Sequence, residues 1–205
     1  MRKHLSFTFL IGFLFSQYDG TIYSTLADTT FGNSYATYKI NPDGLEIENL
    51  FPSLRFQDVS SDESKLLLNN SDSIFIYDFE SLKNLNINGA NPLFTYYEDF
   101  IILSSGRKLL RFSLGDSSES IILDSIVTSL PGPSWIPRQF FILSPDKKDI
   151  ISMKGSSWSE GDYFTTADSL EIIFSNIQNI EQTTIRTIPY TNCGFYWKED
   201  GYLYF

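Results

Sequence analysis

Aspartate is the residue whose placement first looks chemical. Four segments share a register: Val59-Ser60-Ser61-Asp62, Tyr96-Tyr97-Glu98-Asp99, Leu143-Ser144-Pro145-Asp146 and Trp197-Lys198-Glu199-Asp200, each with an apolar or aromatic residue three before the aspartate. An earlier fifth copy, Asp19-Gly20-Thr21-Ile22-Tyr23, echoes Asp200-Gly201-Tyr202-Leu203-Tyr204. Five carboxylates in one register could surround a calcium ion. Hard cations, however, want several carboxylates converging from one short loop, and the chain has no D-x-D-x-D run. The plainer chemistry is a turn, in which Asp accepts hydrogen bonds from backbone amides that the turn leaves unpaired. Asp19, Asp62, Asp99, Asp146 and Asp200 are therefore expected as structural turn residues, with no metal and no cofactor.

Other chemistry is excluded by what is missing. The one histidine, His4, lies in the N-terminal leader, so no imidazole remains to serve a Ser-His-Asp or Cys-His arrangement or a histidine zinc site. The twelve glycines are scattered through turns and form no phosphate loop. The lone Cys193 cannot form an internal disulfide and reads as a small buried hydrophobe. Catalysis by carboxylates alone, as in glycoside hydrolysis, is the enzyme class left open. Its candidates are Glu160, Asp162 and Asp168.

The leader itself has the layout of a signal peptide: Met1-Arg2-Lys3-His4, an apolar run Leu5 to Phe15, then Ser16-Gln17. Eleven helical residues would span only about 16 Å of a bilayer core of about 30 Å, so a permanent anchor is the poorer reading. Export to the periplasm or the extracellular space is the expectation, with residues 1–17 removed and no stable membrane span left. Loss of Arg2 and Lys3 leaves 13 basic against 25 acidic side chains. So acidic a chain lacks the clustered Lys and Arg that nucleic acid or anionic lipid would require.

The elements that must position these residues are strands. The five aspartates are 43, 37, 47 and 54 residues apart, the spacing of four-stranded propeller blades. Each aspartate precedes a short strand (Lys65 to Leu68, Phe100 to Leu103, Asp149 to Met153, Tyr202 to Phe205). Two more strands follow in each unit, for example Ser73 to Phe79 with Leu82 to Ile87, and Lys108 to Leu114 with Ser120 to Leu123. Asn41-Pro42-Asp43-Gly44 and Leu114-Gly115-Asp116-Ser117 fill equivalent hairpins. The expected fold is all-β, a β-propeller of four-stranded antiparallel blades: about four blades, at 18–52, 53–91, 92–133 and 134–190, plus the start of a fifth at 191–205.

These units resemble TolB-like and WD-repeat-like bacterial propeller blades, whose first hairpin reads W-S-P-D-G followed by an apolar strand. Leu143-Ser144-Pro145-Asp146 and Trp197-Lys198-Glu199-Asp200-Gly201 match best, and the resemblance spans nearly all of residues 19–205. It implies a non-catalytic module that binds another protein or a cell-envelope component outside the cytoplasm. In other relatives the same propeller is attached to a serine peptidase, whose hydrolase domain has no counterpart here.

Blade topology says where a ligand would bind. The turns between strands one and two and between strands three and four share one face; the two-to-three connectors and the links between blades share the other. That second face collects residues 26–34, 69–72, 104–107, 128–139 and 154–169, and loops on a rigid scaffold are where function sits. Trp, Tyr and Arg dominate binding hot spots, which makes Phe31, Arg107, Trp135, Arg138, Trp158 and Asp162 the binding candidates. Against this stands the plainer reading, in which Trp158 folds back onto its own hairpin and Trp135 wedges between two blades. The first unit lacks its first strand while Phe195 to Trp197 offers a spare one, so the ring is either incomplete, as part of a longer propeller, or closed by that strand.

Overall fold

The computed structural model describes residues 21–28, 34–41, 46–126, 141–155, 158–160, 165–167, 169–189 and 196–204. Among them every regular element is a strand. The chain divides into two compact units, Met1–Ser53 and Leu54–Phe205.

The first unit holds an antiparallel sheet in the order β1 (Ile22–Asp28), β2 (Ser34–Ile40), β3 (Ile47–Pro52). Three strands are found among its described residues, the number expected from the sequence for a first unit without its own first strand. In the second unit, β4 (Arg55–Val59), β5 (Leu66–Asn69), β6 (Ile74–Tyr77) and β7 (Leu82–Asn84) form one four-stranded sheet. The next comprises β8 (Ala90–Phe94), β9 (Phe100–Ser105), β10 (Lys108–Ser113) and β11 (Glu119–Asp124). A further one has β12 (Phe141–Leu143), β13 (Asp149–Gly155), β16 (Ser169–Asn176) and β17 (Gln182–Pro189). The connector from β13 to β16 carries its own small hairpin, β14 (Trp158–Glu160) with β15 (Thr165–Ala167). Last comes the pair β18 (Tyr196–Trp197) and β19 (Leu203–Tyr204). All pairings among the described strands are antiparallel, and except for β13 with β16, which the β14–β15 hairpin separates, they join chain neighbours, as short hairpin turns require.

The β8–β11 sheet is buried on both faces, which explains why its strands read as continuous apolar runs. Alternate residues of a strand point to opposite faces. Ile101, Leu103, Leu110 and Phe112 pack with Leu67 and Ile74 of the preceding sheet. Ile102 and Leu109 pack with Phe141, Ile150 and Ile173 of the following one. Polar contacts reinforce the second junction: the Arg111 guanidinium lies 4.7 Å from the Phe100 ring centroid and donates to the carbonyls of Ile177 (2.8 Å) and Gln178 (2.6 Å).

In two of the first hairpins a serine holds the turn as much as the aspartate does. Ser60 Oγ donates to Asp62 Oδ1 at 2.6 Å and accepts from Lys65 N at 2.9 Å. In parallel, Ser144 Oγ donates to Asp146 Oδ1 at 2.6 Å and accepts from Asp149 N at 3.0 Å. Asp62, Asp146 and Asp200 each accept the amide two residues on, at 3.1, 3.2 and 3.3 Å. Asp99 is different. Among the described residues no side-chain bond of Asp99 takes part; the Thr95 hydroxyl bridges the carbonyls of Tyr97 and Phe100, and Asp99 contributes its own carbonyl to Leu114 N. Asp19 lies outside the described residues.

The residue after the aspartate takes a left-handed conformation: φ is 58° at Glu63, 55° at Lys147 and 89° at Gly201. A side chain there meets the next carbonyl, which is why glycine suits this position. Glu63→Gly is expected to raise stability by about 0.5–1 kcal/mol, read from urea unfolding; a loss would show that the exposed Glu63 side chain contributes to the turn.

These turns also set an acid response. Hydrogen bonds from Ser60, and then from Ser64, hold the Asp62 carboxyl well below its usual value. Ser144 does the same for Asp146, the Ser81 amide for Asp78, and Ser113 with Ser118 bring Asp116 down to about 2. A depressed folded-state pKa gives stability that is full above the unfolded value of about 4 and is lost as pH falls through the folded one. The melting temperature is therefore expected to fall between pH 4 and pH 2. The gap between wild type and Asp116→Asn should narrow across the same window.

Candidate functional site

A cleft among the described residues opens on the face of two-to-three connectors. It has a volume of about 440 Å³ and is lined by Ser71, residues 88–91, residues 104–106 and Ile126. Each wall has a local cause. In the β5–β6 connector, Asn70 Oδ1 accepts the amides of Asp72 (2.9 Å) and Ser73 (2.8 Å), a turn closed through its own side chain. The β9–β10 connector is only Gly106-Arg107, and Gly106 supplies the positive φ of 55° that so tight a hairpin needs.

The link from β7 to β8 is pulled against β9 by a missing side chain. A Cβ on Gly89 would lie 2.2 Å from Leu103 Cδ1 and 2.9 Å from Ser104 O, so only glycine allows this approach. Ser104 Oγ then donates to Ala90 O at 3.1 Å. The β8–β9 ladder jumps between Ala90 and Leu93, and Asn91 sits at φ 52° within the jump. A bulge of this kind redirects the main chain at a strand end.

Ile126 joins the cleft to the long connector of the following sheet. Its amide donates to Arg107 O at 2.8 Å, it bridges to Lys154, and Gly155 N donates to Ser125 O at 3.1 Å. The β14–β15 arm therefore springs from beside the cleft wall. On it, Trp158 stands opposite Ala167 and Glu160 opposite Thr165.

Among the described residues no ionisable side chain lines the cleft. Arg107 is the exposed residue next to Gly106, at its edge. One orphan lies nearby in sequence: Asn69, which ends β5 at 9% exposure, has a buried Oδ1 with no hydrogen-bond partner. Buried polar atoms of this kind are uncommon.

Of the residues singled out in the sequence, Arg107 borders the cleft and Trp158 begins the arm beside it. Phe31, Trp135, Arg138 and Asp162 lie outside the described residues, as does Asp168; Glu160 ends β14. The aromatic and charged residues drew attention to this face, while the cleft wall is made of Ser71, Asn88, Asn91 and Ser105. Their signal was the turn-forming cluster Asn88-Gly89-Ala90-Asn91, which marks a sharp change of chain direction.

No protein-family model matches the chain, and no curated protein matches it in sequence. Solved structures do. TolB from Acinetobacter baumannii is 13% identical with a TM-score of 0.59, over 89% of this chain and 45% of that one. A TolB candidate from Agrobacterium tumefaciens is 16% identical with a TM-score of 0.57, over 88% of this chain and 68% of that one. The tricorn protease is 14% identical with a TM-score of 0.55, over 93% of this chain but 20% of its own. The chain thus spans under half of the first relative. At these identities the likeness shows the fold alone: the chain is built of TolB-like β-propeller blades.

Proposed function

We propose that this chain is an exported, non-catalytic binding or scaffold module that engages another protein or a cell-envelope component through the connector face. The observation that carries the reading is the cleft between connectors, uncharged among the described residues, with Arg107 at its edge and the connector that carries β14 and β15 leaving β13 next to Ser125. A rigid stack of sheets presenting irregular loops is the usual way a propeller-like scaffold makes contacts. The TolB-like fold supports a role in protein binding, and the leader supports a place in the periplasm or outside the cell.

The test is site-specific photocrosslinking in the source organism. A benzophenone side chain at Arg107 or Trp158 is expected to give discrete protein adducts, and the same probe at Asp62 or Asp146 on the opposite turns is not. Equal labelling from both faces, or none from the connector face, would overturn the assignment. Turnover of a glycan by the purified chain, lost in Glu160→Gln, would replace it with an enzymatic role.

A further inference from the structure

We infer that the cleft takes a short, extended, uncharged polypeptide segment, held chiefly through its main chain. This rests on the connector face being the binding surface and names what it binds. The walls offer amide side chains (Asn88, Asn91), hydroxyls (Ser71, Ser105) and main chain left bare at Gly89 and Gly106. Such walls donate and accept in equal measure, and a peptide unit presents one donor and one acceptor.

Other ligand classes fit less well. A charged ligand would shed water against walls that, among the described residues, carry no counter-charge. A sugar ring would want an aromatic face to stack on, and among the described residues no aromatic side chain lines the cleft. Strand geometry favours the peptide further. β8 is the edge strand of its sheet, and its ladder with β9 lapses between Ala90 and Leu93, so the main chain around Asn91 departs from sheet pairing just where it lines the cleft. Extended segments dock where strand-edge groups are open to a new partner. A volume of about 440 Å³ is at the small end for ligand pockets and suits a few small residues.

The experiment is a titration of the isotope-labelled whole chain with acetyl-Gly-Ser-Gly-Ser-amide, alongside maltotriose and glutarate. Saturable amide shifts at Ser71, Asn88, Asn91, Ser105 and Gly106 are expected from the peptide, with a Kd below about 10 mM. Ser71→Trp and Ala90→Trp should each weaken binding at least about tenfold while the melting temperature holds. Should a tryptophan variant fail to fold, a nitroxide on the peptide must still broaden those same signals in the unaltered chain. No saturation, shifts that ignore both tryptophans, or a preference for maltotriose or glutarate would overturn the inference. If Arg107 and Trp158 still give crosslinked partners after such a result, the peptide class falls and the binding face stands; loss of the crosslinks would remove both.

Discussion

Ile101→Ala and Ile102→Ala are each expected to lower the unfolding free energy by about 3 kcal/mol, although the two residues are adjacent on one strand. Both are fully buried, and they pack into different cores, Ile101 toward β5 and β6 and Ile102 toward β13 and β16. In a sheet with one wet face, one of the pair would face solvent and cost little. Here each substitution opens a cavity against a different neighbouring sheet. Because they share no packing partners, their effects should be close to additive, and a double variant would lose about 6 kcal/mol, comparable with the whole stability of many domains. Urea unfolding of the three variants measures this. A cost under about 1 kcal/mol for either single change would show that β9 has a solvent face, contradicting the stacking of successive sheets.

The second large effect is expected at Asp58. A register shift between Phe56 and Asp58 in the β4–β5 ladder places this carboxylate off the regular alternation. Its Oδ1 accepts the amide of Val59 at 2.9 Å, and its Oδ2 accepts the amide of Phe94 at 2.9 Å and the Lys147 ammonium at 3.3 Å. One side chain thus joins β4 to β8 and to the β12–β13 turn, three successive sheets. The Lys147 carbonyl adds to the same junction by accepting Tyr96 N at 2.9 Å.

Asp58→Ala should cost about 3 kcal/mol, because it leaves the amide of a buried residue without its charged acceptor. Lys147→Met should cost only about 1 kcal/mol, since both partners of the ion pair are partly exposed and salt screens them. The double-mutant cycle separates the two contributions. A coupling energy as large as the whole Asp58→Ala loss would mean that the ion pair, and not the Phe94 amide, carries the junction.

Much of the strand pattern was legible because blade turns are local. The sequence places strands at Phe100 to Leu103, Lys108 to Leu114 and Asp149 to Met153, and the structure has Phe100–Ser105, Lys108–Ser113 and Asp149–Gly155. The recurring aspartate marks hairpins within a few residues of chain, and its hydrogen bonds reach no further than the amide two positions on. Less was legible at Asp99, where the spacing is kept and the chemistry is not: a threonine four residues earlier does the work of the serine found two before Asp62 and Asp146.

The long connector illustrates the same limit from the other side. Its length marked residues 154–169 as irregular, but pairing of Trp158–Glu160 with Thr165–Ala167 makes part of it a hairpin. Aromatic and charged residues there drew notice because such side chains dominate interfaces. Gly89 drew none, since glycine is common in any turn, and only packing shows which glycine borders a space.

By itself, then, the sequence determined the all-β architecture, the turn positions and the face on which the connectors gather, because all three follow from contacts between residues close in the chain. Tertiary structure decided what joins the sheets and what the connectors enclose. Asp58 meets residues 36 and 89 positions away, and the cleft exists because Gly89 lets the β7–β8 link lie against β9 while Ile126 closes its far side. Those contacts depend on how whole blades stack, and no local pattern of side chains encodes them.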